Sequence, residues 1–155
     1  MHETIPQRSV KMIDHNPKKG VPMSTSKQQG FQERINALLA PMLKQRLYVA
    51  FSTAVASPEE MFPHVADHLE YMNNLEAKGL LFGSGPFIHP DVLVGDGLTI
   101  LQTKTFEDAS ILMENEPLIK LGLRTFDLRP WELREGKINV ALSVSTSTFG
   151  LSSGE

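Results

Sequence analysis

His64 and His68 stand four residues apart in the stretch FPHVADHLEYM. On a helix that spacing puts two imidazoles on one face, an arrangement suited to metal ligation or to moving protons. The metal-dependent hydrolase form of this pattern needs a glutamate directly after the first histidine, and Val65 stands there instead, so no metal is expected. His64 reads as a residue on the rim of a pocket. His68 is the stronger candidate for chemistry. Met61, Val65, Met72 and Leu75 flank it at alternating four- and three-residue intervals, an apolar stripe that turns its imidazole inward. Such a histidine is either a general acid or base, working close to its ordinary titration range, or a core residue satisfied by one hydrogen bond.

Other chemistry-bearing residues follow downstream. Gly83-Ser84-Gly85-Pro86 fits neither phosphate-cradling glycine pattern and ends in a residue without an amide hydrogen, which argues against a nucleotide site. A turn that brings backbone close to a pocket is the better reading, with Ser84 and the Gly85 amide available to a substrate oxygen. Arg124 and Asp127 lie three residues apart on a strand and therefore point to opposite faces. One of them faces the pocket, and alternation leaves open which. Phe87 and Trp131 can line a pocket for a flat ligand, whereas Tyr71, Phe82, Phe106 and Phe126 read as core.

The elements that must position these residues are well punctuated. RLYVAFST (46–53) is short and rich in β-formers. Ser57-Pro58-Glu59-Glu60 then opens a helix with a capping box, predicted to run to about Lys78 and stop at Gly79. Strands are predicted over 80–87, 98–103 and 123–128, the last closed by Pro130. A connection rich in turn residues, through Pro90, Gly95 and Gly97, joins the first two of these. A further helix begins at Thr105-Phe106-Glu107-Asp108 and ends before Pro117, and 137–148 reads as an added strand. The order is β-α-β-β-α-β, a split βαβ arrangement of α+β class. Residues 1–30 read as an irregular arm, followed by an amphipathic helix carrying Phe31, Ile35, Leu38, Leu39, Met42 and Leu43. The expected division is an arm and helix over 1–45, a main domain over 46–149 and a tail over 150–155.

Composition narrows the function classes. The chain has 155 residues, 41% of them hydrophobic, which suffices for one core and is short for two domains. A net charge of -3 and a pI near 6.0 argue against a nucleic-acid partner. There is no cysteine, hence no disulfide and no thiol nucleophile. No apolar run has the length of a membrane span or of a secretory signal core, so the expectation is a cytoplasmic protein with no membrane partner.

HLEYMNNLEAKGLLFGSGP (68–86), with a helical histidine, a glycine eleven residues later and a G-x-G-P turn after a strand, resembles the hallmark of the YCII-related family. Asn115-Glu116-Pro117, Gly122 and Arg129-Pro130-Trp131 extend the resemblance over about residues 46–132. It implies a ferredoxin-like subunit that pairs into a homodimeric α/β barrel enclosing a small-molecule pocket. It further implies a His–acid pair in which Glu116, standing where the family usually has aspartate, orients His68. Glutamate is one methylene longer, and a solvated acid at a helix end is the competing reading. The expected function is a cofactor-independent lyase or isomerase acting on a small oxygenated ring by proton transfer, such as dehydrohalogenation or lactone isomerisation. The alternative is a non-catalytic dimeric ligand-binding or accessory domain.

Overall fold

The computed structural model describes residues 25–88 and 95–152. Residues 1–24 of the predicted arm, the Pro90 part of the connection and residues 153–155 of the predicted tail lie outside the described residues. Strand β1 (Gln45–Ala54) alternates as its β-formers require. Tyr48, Ala50 and Ser52 face the helices, while Leu47, Val49 and Phe51 face the other side. It pairs antiparallel with β3 (Gly97–Leu101) and with β4 (Arg124–Leu133), and β2 (Leu81–Pro86) pairs antiparallel with β3. The strand order β2-β3-β1-β4 is the one a split βαβ topology produces, so the protein is mixed α+β with an antiparallel sheet, consistent with a ferredoxin-like fold.

The first crossover is not one helix. The capping box forms as its residues dictate: Ser57 Oγ accepts from the Glu60 amide and Glu60 Oε2 accepts from the Ser57 amide. Helix α2 nevertheless spans only Pro58–Met61, and a 3₁₀ turn (Phe62–His64) separates it from α3 (Val65–Ala77). Pro63 is the cause, since it has no amide hydrogen and its ring crowds the preceding turn. Met61 is thereby taken off the His68 stripe and packs with Leu118 in a small cluster of its own. The end of α3 matches expectation. Gly79 has φ of 69°, its amide donates to Glu76 O, and the Leu80 amide donates to Leu75 O, a Schellman stop.

After β3, α4 (Phe106–Glu114) is capped by Thr105, whose side chain accepts from the Asp108 amide. A single further turn, α5 (Pro117–Lys120), precedes β4. Helices and sheet enclose a core in which Ala50, Leu101, Ala109 and Met113 are essentially inaccessible. Each large apolar side chain so buried contributes roughly 1.5–3 kcal/mol.

Three boundaries differ from the sequence expectation. β4 runs through Pro130 because it is an edge strand, where a missing ladder donor is tolerated. The predicted final strand is a hairpin, β5 (Asn139–Ser143) and β6 (Thr148–Ser152), forming a separate two-stranded sheet. The first helix, α1 (Thr25–Leu39), begins inside the stretch read as irregular and ends two residues before Pro41. Among the described residues no helix is long and apolar enough to cross a membrane.

Candidate active site

Helix α3 lies over the β2 side of the sheet, and a cavity of about 610 Å³ opens between them, closed at its far end by α5 and the start of β4. His68 projects into it from α3, alongside Val65, Met72 and Asn73. Gly83-Ser84-Gly85-Pro86, expected from the sequence to be a turn, is instead the paired end of strand β2 and forms the opposite wall, and Ser52, Thr99, Glu116 and Arg124 form the floor.

The two residues given the His–acid roles are brought together from elements 48 positions apart: His68 Nδ1 lies 2.8 Å from Glu116 Oε1. The His68 side chain keeps 17% exposure and the Glu116 side chain 2%. The imidazole is therefore open to the cavity and its partner is sealed beneath it. Glu116 also caps α5, with Oε1 accepting from the Leu118 amide and Oε2 from the Ile119 amide, each at 3.0 Å. This accounts for a buried glutamate before a proline. Pro117 starts the turn with the fixed φ a first helical residue needs, and the amides that follow need an acceptor.

The electrostatics follow from those contacts. Burial pushes the Glu116 carboxyl up, but hydrogen bonds from His68 and the two amides, together with the attraction of the imidazole, outweigh it and hold the group below its ordinary value of 4.5. Glu116 is thus ionised and can only accept. The bond at 2.8 Å then requires the proton on Nδ1, which leaves Nε2 of a neutral imidazole as a free base. Tyr71, whose hydroxyl donates to Leu112 O, is raised by burial and by the charge of Glu116.

Ser84 Oγ and Thr99 Oγ1 lie 3.2 Å apart on the cavity wall, where the serine expected to meet substrate stands, with Gly85 next to it. Of the pair left open by alternation, Arg124 faces the cavity, and Asp127 lies on the outer face in an ion pair with Arg129. Two expected contacts are not brought to the site. Phe87 comes after the end of β2 and borders a shallower depression with Leu98 and Ile100. His64 sits in the turn imposed by Pro63, outside the residues that line the cavity. Ser52 and Thr99 were not singled out from the sequence, where hydroxyls in β-strands carry no distinguishing signal. Among the described residues no group of three or more His, Asp or Glu side chains is placed to hold a metal ion.

No protein-family model matches the chain, and no curated protein matches it. Among solved structures, the chain is similar to 5-chloro-2-hydroxyhydroquinone dehydrochlorinase from Burkholderia phenoliruptrix, determined in complex with 2,5-dihydroxybenzoquinone. The identity is 20% and the TM-score 0.48, with 55% of this chain and 92% of that chain covered.

Proposed function

We propose that the chain is a YCII-like subunit that catalyses proton transfer on a small oxygenated ring compound, as a lyase or isomerase. His68 acts as the base through Nε2, and Glu116 is the residue that orients it. The observation carrying this reading is an imidazole fixed by a buried, ionised carboxylate on one side and open to a cavity on the other. That combination fixes the tautomer, stabilises the imidazolium formed when a proton is taken, and leaves the working nitrogen accessible to substrate. Ser84, whose hydroxyl lies on the cavity wall beside Gly85, is assigned to hold an oxygen of the substrate.

The proposal extends to assembly. Two copies pair through the outer face of the sheet, where Phe51 and Trp131 are 39% and 40% exposed beside the half-buried Leu98 and Ile100. Static light scattering at micromolar concentration is expected to give twice the mass of one chain, and a monomer would refute the pairing.

The catalytic reading is tested by His68→Ala against a panel of lactones and hydroxylated or halogenated aromatics. General-base catalysis contributes about a hundred- to ten-thousand-fold, so turnover is expected to fall within that range while the circular dichroism spectrum is unchanged. A folded His68→Ala protein with full turnover would refute it. A ligand-binding domain without chemistry would instead show wild-type binding and no turnover with either protein.

A further inference from the structure

The cavity contains a charge for which the fold has no use. Arg124, the first residue of β4, is 8% exposed and lines the cavity beside Glu116, Ser52 and Thr99. Its Nε is buried without a hydrogen-bond partner, and no ion pair engages the guanidinium among the described residues. Arginine carries five N–H donors and does not shed its proton inside a protein, so it cannot escape burial by becoming neutral. Burial pulls the group's pKa down, while the negative charges of Glu116 and Asp96 hold it up.

Among the described residues neither carboxylate is bonded to the guanidinium, and each has other partners. The oxygens of Glu116 accept from His68 and from two amides of α5. Asp96 Oδ1 accepts from the Ala54 amide at 2.8 Å. Glu76, the remaining acid on the cavity wall, is exposed near the end of α3. An unpaired buried cation is among the costlier arrangements a fold can keep. A structural arginine would be paired, and this one is turned toward open space beside the candidate base.

We propose that the cavity selects an anionic ring compound, bearing a carboxylate or an ionised hydroxyl, whose charged oxygen is held by Arg124 while the ring lies between Arg124 and His68. This rests on the reading of the cavity as the substrate site and adds the substrate class. Arginine suits the task because its planar fork meets a carboxylate through two parallel hydrogen bonds, which fixes orientation as well as charge. Ser52 and the Ser84–Thr99 pair provide neutral hydroxyls on the same walls for the uncharged oxygens of the ring.

The test is calorimetric titration of the full-length protein with benzoate and with its neutral counterpart benzamide, on the wild type, Arg124→Met, Arg124→Lys and His68→Ala. The wild type is expected to bind benzoate saturably and benzamide about thirtyfold more weakly, the loss expected when a buried charge finds no counter-charge. Arg124→Met is expected to lose the preference while melting at or above the wild-type temperature, since an unpaired buried cation has been replaced by an apolar side chain of similar length. Arg124→Lys keeps the charge without the fork and is expected to bind benzoate with intermediate affinity. His68→Ala removes one wall of the ring site and is expected to weaken benzoate and benzamide alike, keeping the preference for benzoate. Equal binding of the two probes, absence of saturable benzoate binding, or a preference that survives in Arg124→Met would overturn the proposal. So would unfolding of Arg124→Met, which would make the residue structural. If His68→Ala binds benzoate and also retains full turnover, the proton-transfer reading fails and the anion site stands.

Discussion

Replacing Glu116 with glutamine removes one negative charge and leaves the shape of the side chain almost unchanged, so the consequence can be worked from its three hydrogen bonds. The carboxylate accepts from His68 Nδ1 and the Leu118 amide through Oε1, and from the Ile119 amide through Oε2. A glutamine has one acceptor oxygen, and its amino group must face at least one of those donors. The loss of one charge-assisted bond costs about 1.5–3 kcal/mol and the loss of one capping bond about 1 kcal/mol. Cheaper burial of a neutral amide offsets part of this, leaving a destabilisation of about 2–3 kcal/mol near neutral pH. The pH dependence supplies an internal control. In the folded protein the carboxyl ionises below its ordinary value of 4.5, so its stabilising contribution is complete above that value and is lost as pH falls through the lower, folded one. Urea denaturation of wild type and Glu116→Gln, followed by circular dichroism, should therefore show a gap that is widest near neutrality and closes in acid. A gap that stays constant into acid, or no gap at neutral pH, would refute the assignment of Glu116 as a buried, ionised partner of His68.

Other substitutions test neighbouring parts of the argument. Leu118 is wholly buried on α5 against Met61, and Leu118→Ala should cost about 2–5 kcal/mol in thermal or chemical denaturation. A Cβ at Gly97 would lie 3.1 Å from the Gly85 carbonyl oxygen; Gly97→Ala should therefore force β2 and β3 apart at the cavity wall, weakening ligand binding more than it lowers the melting temperature. Gly79 stops α3 with φ of 69°, and Gly79→Ala should lower stability by about 1 kcal/mol because a residue with a Cβ resists that conformation.

The strands and caps were legible because their signals are local. β1 declares itself by its β-formers, α2 by a capping box in four consecutive residues, and the end of α3 by one glycine. The break at Pro63 was also written in the chain, but a strong apolar period on both sides masked it. What depended on assembly was not legible. Whether Pro130 ends a strand depends on whether that strand lies at an edge, and only the order β2-β3-β1-β4 decides it. Alternation separated Arg124 from Asp127 but could not choose between them, because the inward face of β4 is defined by helices from elsewhere in the chain. The turn of the β5–β6 hairpin has no glycine, asparagine or proline, and Ser147 adopts φ of 52° without the usual residue for that conformation. Glu116 was placed beside His68 by resemblance alone, and its second task of capping α5 becomes visible once Pro117 is seen to begin a helical turn.

The two prolines on the outer strands have a consequence for how the sheet meets other chains. Pro86 closes β2 and Pro130 lies within β4, and these strands are the two edges of the four-stranded sheet. A strand arriving sideways would find a missing donor at either margin, so the sheet resists growing by lateral addition of further strands. The strand-by-strand polymerisation that threatens any exposed sheet is thus blunted on both sides by side chains that cost the folded chain little.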